Sequence, residues 1–300
     1  MKVWLRRIGI AVFGLVLLIA AGGGGIYGVT DRRFAKQYDI ETESVAIPTD
    51  SNSIARGRHL ATAVGKCVDC HDQGLKGKVM IDDPAFGQLS TSNLTTGSGG
   101  VLNNYSNEQL VRAIRHGVKA DGKPALFMPS QEFYYFNDED LGALIAFIRS
   151  LPPADNVLPP TRLGSLPRAL YLGKKLDLIS AELIDHTKRP PAVPAGVTPE
   201  YGEYMAQTGG CMGCHGPGLS GGAVPGTPPD FPKATNITPT GIGTWSEADF
   251  IKAMRSGMRP NGTAINPFMP WSYVGQLTDD ELKALWLYLA SVPPKDSGLR

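Results

Sequence analysis

The chain has 300 residues, 42% of them hydrophobic, and its 29 basic and 28 acidic side chains leave a formal charge of +1. With no basic stripe and no phosphate-binding glycine fingerprint, the sequence gives no ground for a nucleic-acid or nucleotide partner. Only four cysteines are present, and all fall in two short motifs, which leaves none for a structural disulfide or a nucleophile.

Taken in chain order, Lys2, Arg6 and Arg7 precede an apolar run from Ile8 to Val29. As a helix that run reaches roughly 33 Å, enough to cross the hydrocarbon core of a bilayer. A cleaved signal peptide ending near Ala20 to Gly22 is the competing expectation. The apolar run resumes beyond Gly22 to Gly25, which favours a retained anchor over residues 1–30. Residues 31–52 read as a polar tether to the first domain.

Residues 53–154 and 195–300 are two copies of one unit, and each carries a Cys-x-x-Cys-His motif. The first is Cys67-Val68-Asp69-Cys70-His71 and the second Cys211-Met212-Gly213-Cys214-His215. This is the covalent attachment signature of c-type haem: the thiols add to the porphyrin vinyl groups, and the adjacent His becomes the proximal iron ligand. A zinc site built from both cysteine pairs gives no reason for His to follow each pair. A thioredoxin-like redox pair expects a βαβ context, and strand patterns are scarce here. Other matching segments support the duplication: Ser92-Asn93-Leu94-Thr95 returns as Thr235-Asn236-Ile237-Thr238, Phe127-Met128-Pro129 as Phe268-Met269-Pro270, and Pro152-Pro153 as Pro293-Pro294.

Within each unit the apolar spacing is helical. A helix is expected before each motif, around Ile54 to Val64 and Glu200 to Thr208, with Gly57 and Gly202 leaving room for a second helix. A middle helix starts at Ser106, with Gln109 three residues on, and again at Ser246. A terminal helix starts at Asn137 with Leu141, Leu144, Ile145 and Ile148 on one face. Its copy opens on the capping box Thr278 to Glu281, with Leu282, Leu285, Trp286 and Leu289 repeating the pattern. Each terminal helix ends before a Pro-Pro pair. Between the units, residues 155–194 are rich in proline and read as a semi-rigid spacer. A short amphipathic helix is expected over Leu166 to Leu183, with Leu170, Leu176 and Ile179 turned inward.

On these residues each half resembles a class I cytochrome c domain. The whole resembles the membrane-bound cytochrome c subunits of bacterial alcohol, aldehyde and gluconate dehydrogenases. The resemblance is carried by the two Cys-x-x-Cys-His motifs, Thr235 to Pro239, Thr240 to Trp245, and the two Phe-Met-Pro triplets. Those subunits usually carry three haems, and this chain has motifs for two. The resemblance implies two covalently bound haem c groups, attached at Cys67, Cys70, Cys211 and Cys214. His71 and His215 are then the proximal iron ligands. Met128 and Met269, each stiffened by an aromatic and a proline, are expected to be the distal ones. Met258 is the fallback for the second haem, while Met254 is expected to pack and Met80 follows His71 too closely.

Asn93 and Asn236 are candidate propionate contacts, with ordinary turn chemistry as the plain alternative. His116 could make the first haem bis-His, but the repeat has Ser256 there, so a structural role is expected. His59 is expected to be structural and His186 solvated. Phe133 to Phe136, with Trp271 and Tyr273, are expected to wall the haem crevices or simply to pack.

The expected fold is all-α: two tandem class I cytochrome c domains behind an N-terminal transmembrane helix. A His/Met pair fills both axial positions, which suits electron transfer and leaves no iron position for a substrate. The expected function is electron relay from a bacterial inner membrane, with the haem domains facing the periplasm, in a respiratory dehydrogenase complex. The membrane, a dehydrogenase subunit and quinone are the expected partners. A free-standing carrier between a quinol-oxidising complex and a terminal oxidase is the second expectation. A dihaem peroxidase-type enzyme, which needs an exchangeable iron ligand, is the alternative from another class.

Overall fold

The structure, a computed structural model, describes residues 2–41 and 43–299, except for the side chains of Lys2 and Ile19. It opens on α1 (Lys2–Phe34), long and apolar enough to cross a membrane by length and composition. Most of its apolar side chains up to Val29 are exposed. Only its C-terminal end is covered.

The first unit follows. α2 (Ser51–His59) is capped by Asp50, whose carboxylate accepts from the backbone N–H groups of Asn52 and Ser53. Its last turn widens into a π-turn over Leu60–Val64. α3 (Cys67–His71) carries the first motif. Two strands come next, β1 (Val79–Asp83) and β2 (Gly87–Ser90). α4 (Asn107–His116) has the expected Ser106–Gln109 capping box. The short α5 (Ser130–Phe133) precedes α6 (Asp138–Arg149), which Asn137 caps. Between the units lie β3 (Arg162–Leu163) and α7 (Ser165–Leu172).

The second unit repeats the first. α8 (Pro199–Thr208) matches α2, and α9 (Cys211–His215) carries the second motif. α10 (Pro239–Ile242) is a single turn, and α11 (Glu247–Ser256) has a capping box from Ser246 to Asp249. The short α12 (Trp271–Val274) precedes α13 (Asp279–Ser291), opened by the Thr278–Glu281 box.

In each unit the first and last helices cross at a glycine. A Cβ at Gly57 would collide with the Ala143 carbonyl of α6, and one at Gly202 with the Ala284 carbonyl of α13. The absent side chain is what lets the two backbones meet.

The two units share one hydrophobic core, which runs from Leu60, Leu141 and Leu144 to Met205, Leu282 and Leu285. Their contact has approximate two-fold symmetry. His59, two residues after Gly57, meets Glu281 of the other unit at 2.6 Å. Tyr204, two residues after Gly202, donates its hydroxyl to Asp140 of the other unit at 2.6 Å. Asp140 and Glu281 hold the same third position of α6 and α13. Arg56 joins both: it is bidentate to Asp140 at 2.9 and 3.0 Å, and donates to Glu281 at 2.7 Å and to the Tyr201 hydroxyl at 3.1 Å. A self-complementary contact of this kind is what two copies of one fold make.

The fold is mostly helical, as expected, and carries a small three-stranded antiparallel sheet, in which Gly87 and Gln88 pair with Leu163 and Arg162. Three expectations are corrected. The interdomain helix stops at Leu172, capped at Gly173, and Leu178 and Ile179 are buried in an extended segment instead. Residues 31–52 are not a loose tether. α1 continues through Phe34; beyond it Val45 is buried, the Ala46 carbonyl lies on Gly142, and Glu43 pairs with Arg115 and Arg189. His186 is half-buried: its Nδ1 lies 3.0 Å from Nδ1 of the buried His116, and its Nε2 lies 3.0 Å from the Ala181 carbonyl.

Candidate functional site: a duplicated motif

Each motif helix is framed by the same backbone. The residue before it is left-handed in both units, Lys66 with φ 49° and Gly210 with φ 69°. Glycine takes that conformation without strain. Lys66 lacks that freedom and is held by its ammonium, which donates to the carbonyls of Val64 and Gly209. After the histidines, Gly77 N–H returns to the His71 carbonyl at 2.7 Å and Gly221 N–H to the His215 carbonyl at 2.8 Å. Leu94 then bonds Leu75, and Ile237 bonds Leu219, at 2.7 and 2.9 Å.

These turns bring a carbonyl onto each imidazole. Nδ1 of His71 lies 2.8 Å from the Ser92 carbonyl, and Nδ1 of His215 lies 2.7 Å from that of Thr235. A carbonyl only accepts, so Nδ1 carries the proton in both rings, and in neutral His71 Nε2 is left as the unprotonated nitrogen. Burial holds the His71 pKa below its ordinary value, against the bond to Ser92. A neutral imidazole is the form that binds a metal. Burial, above all, also pushes the Cys67 thiol up to about 12 and the Cys211 thiol up to about 11. Such thiols make poor thiolate ligands at neutral pH. Among the described residues no cluster of three or more His, Cys, Asp or Glu side chains is set to hold a metal ion.

The second crevice is a cavity of about 400 Å³. Cys211 and His215 line it together with Met269, and Ile237, Trp245, Phe250 and Leu285 give it apolar walls. In the first unit, Leu94, Leu110, Ile114 and Met128 belong to the same core. A motif Cys, a His held through Nδ1 and a methionine around an apolar slot of cofactor size, as in the second unit, fit haem c. When bound, haem supplies an iron that changes by one electron.

Other candidates fall elsewhere. Met258 is exposed and its backbone bridges to Ala264, while Met254 packs in the cavity wall. Met80 lies on β1 and is exposed. Asn93 and Asn236 are both buried. Asn93 Oδ1 accepts from the Thr95 N–H, and its Nδ2 donates to the Ala154 carbonyl at 2.7 Å. Asn236 does the same with Thr238 and the Lys295 carbonyl. Each staples the unit's final segment to the loop that meets the motif His, and Asn236 Nδ2 also donates to the Ser297 hydroxyl at 3.4 Å.

The aromatics divide. Phe133 and Phe136 are buried, but Tyr134 turns to the Asp185 carbonyl and Tyr273 to Asp69 of the other unit. Trp245 and Phe250 wall the second crevice, and Arg259 and Asn261 form its polar rim; sequence reasoning assigned none of these four to it. The available signal was positional. Lys119 and Arg259 each begin the turn between the middle helix and the methionine loop.

Both motifs lie on the face shared by the two units. Tyr273 Oη lies 3.3 Å from Asp69 of the first motif. In the equivalent place, the Glu132 carboxylate lies against Gly210 and Gly213 of the second. Burial pushes the Glu132 carboxyl up to about 7, opposed by the Lys66 charge.

The cytochrome c family profile matches residues 54–152 and 200–293. Among curated proteins, the chain is 29% identical over 285 residues to the fructose dehydrogenase cytochrome subunit of Gluconobacter japonicus, covering 86% of this chain and 56% of the relative. It is 28% identical over 276 residues to the alcohol dehydrogenase (quinone) cytochrome c subunit of Gluconacetobacter polyoxogenes, covering 82% and 57%. The chain thus spans little more than half the length of these relatives. A dihaem c-type cytochrome of Cereibacter sphaeroides is 25% identical over 308 residues, covering 93% of this chain and 97% of that one. With matched domains over both helical units, each holding one Cys-x-x-Cys-His motif, this chain belongs to the cytochrome c family and is a dihaem cytochrome c related to electron-transfer subunits of bacterial dehydrogenases.

Proposed function

We propose that the chain is a membrane-anchored dihaem c-type cytochrome that relays single electrons on the periplasmic side, as the electron-transfer subunit of a respiratory dehydrogenase. The observation that carries this reading is the cavity of the second unit, where Cys211, His215 and Met269 line one apolar slot, together with the repeat of its motif, its carbonyl-bonded His and its Phe-Met-Pro loop in the first unit. Cys67 and Cys70 tether one haem and Cys211 and Cys214 the other, each between His and Met, so substrate finds no open position. Because the tethering points lie at the interface, an electron passes between units by crossing a single packed contact. The exposed apolar length of α1 supports a retained anchor that holds the haem domains beside the membrane and within reach of quinone.

The test is gentle detergent extraction of a tagged chain from its native membrane, with identification of stoichiometric partners. A co-purifying flavin, quinoprotein or molybdopterin subunit is the expected result. Recovery alone or with a quinol-oxidising complex or oxidase would overturn the dehydrogenase assignment. It would favour a self-contained carrier, a second reading supported by the nearly full-length match to a dihaem cytochrome.

A further inference from the structure

The two methionine loops are duplicated in sequence but not in how they are held. In the second unit the loop is held locally, with Phe268 N–H bonded to Asn266 Oδ1 at 2.9 Å and Met269 N–H to the Asn266 carbonyl at 3.0 Å. The Phe268 ring is exposed and rests on Phe231.

In the first unit the loop is held from outside. Residues 178–181 of the interdomain segment are all buried and run alongside it. Phe127 N–H donates to the Leu178 carbonyl at 3.0 Å, and Leu126 bridges to Ile179. The Ser180 hydroxyl donates to the Met128 carbonyl and accepts from the Ser130 N–H, bracketing Met128 and Pro129. Phe127 itself sits at φ 63°, a conformation that a bulky residue keeps only where its surroundings over-determine it. Beyond Ser180, Glu182 accepts from the Tyr171 hydroxyl at 2.6 Å and lies 3.6 Å from Arg33 of α1. His186 then ties the segment to His116 of α4.

We infer that Ser180 and the buried segment around it form a clasp that positions Met128 for the first haem iron, so that the two haems hold their distal ligands by separate devices. The first depends on the interdomain segment and, through Glu182, on the end of α1; the second depends on a local turn. This rests on Met128 and Met269 being distal ligands. Ser180 is a positioning residue: it touches the loop backbone and acts through Met128.

Two full-length backgrounds isolate the loops. With Met269→His, the sulfur-to-iron charge-transfer band reports the first haem alone; with Met128→His, it reports the second. In each background, the rate at which cyanide displaces the thioether from the ferric protein reads how often the loop opens. Ser180→Ala is expected to speed displacement at the first haem about tenfold, the scale of one lost hydrogen bond. It should leave the second unchanged, and Ser180→Thr, which keeps the hydroxyl, should restore the slow rate. An unchanged rate at the first haem in Ser180→Ala would overturn the clasp, as would equal acceleration at both haems, which would mark general loosening. Loss of the whole band in Met269→His alone would overturn the reading of Met128 as a ligand, and the clasp with it.

Discussion

His71 and His215 each hold Nδ1 on a backbone carbonyl, and under the proposed function their Nε2 atoms and the thioethers of Met128 and Met269 are the axial ligands. Replacing Met128 or Met269 by His should therefore lower one midpoint potential and leave the other nearly in place, because Met ligation holds the potential above that of a bis-His pair. A redox titration of each variant checks this; no shift in either would contradict the ligand assignment. Glu281 sets the acid sensitivity of the interface. Burial opposes its charge, but the bonds from His59, Thr278 and Arg56 outweigh burial and hold its pKa down to about 2. A depressed carboxylate contributes stability above its unfolded value near 4.5, and that stability is lost as pH falls through about 2. Up to about 3 kcal/mol should disappear across that window. Thermal melting followed by circular dichroism should show the loss, and Glu281→Gln should flatten it.

At the scale of elements, the helix pairs α2 with α6 and α8 with α13 depend on a glycine at each crossing. Gly57→Ala and Gly202→Ala should each destabilise the protein by about 1–3 kcal/mol, because the added methyl meets a carbonyl that belongs to a packed helix. Chemical denaturation measures this. The middle and terminal helices α4, α6, α11 and α13 were legible because their signals are local: caps at Ser106, Asn137, Ser246 and Thr278, apolar spacing, and Pro-Pro pairs after α6 and α13. The end of α7 was not. The leucines beyond Gly173 keep a helical spacing, but Leu178 and Ile179 are drawn out to cover the Met128 loop. Tertiary contact outweighs propensity there. The small sheet escaped notice for a related reason: its strands hold at most five residues, and β3 is contributed by the interdomain segment.

For the molecule as a whole, the two units fold around one core, with Arg56 at its polar centre. Arg56→Met leaves the buried Asp140 without its cation and Glu281 with His59 alone, a loss of about 3–5 kcal/mol. The single cooperative melt expected of the native protein should then fall in temperature or split in two; an unchanged melt would show that the units are energetically independent. The haem motifs and the methionine loops were readable because each is a short contiguous pattern that occurs twice. The interface was not, since His59 with Glu281 and Tyr204 with Asp140 pair residues from opposite halves of the chain. His186 was misread as solvated for the same reason, its partner His116 lying in the preceding unit.

Two six-coordinate irons that only carry electrons give a clear signature in an anaerobic redox titration of the purified full-length protein, followed optically, with haem counted per chain and cyanide and peroxide added at each stage. The expected result is two haems per chain, two reversible one-electron steps, a sulfur-to-iron band from each ferric haem, and no rapid ligand uptake by the reduced or half-reduced protein. An iron that takes up cyanide or peroxide rapidly in the half-reduced state would contradict it and indicate a peroxidase-type centre.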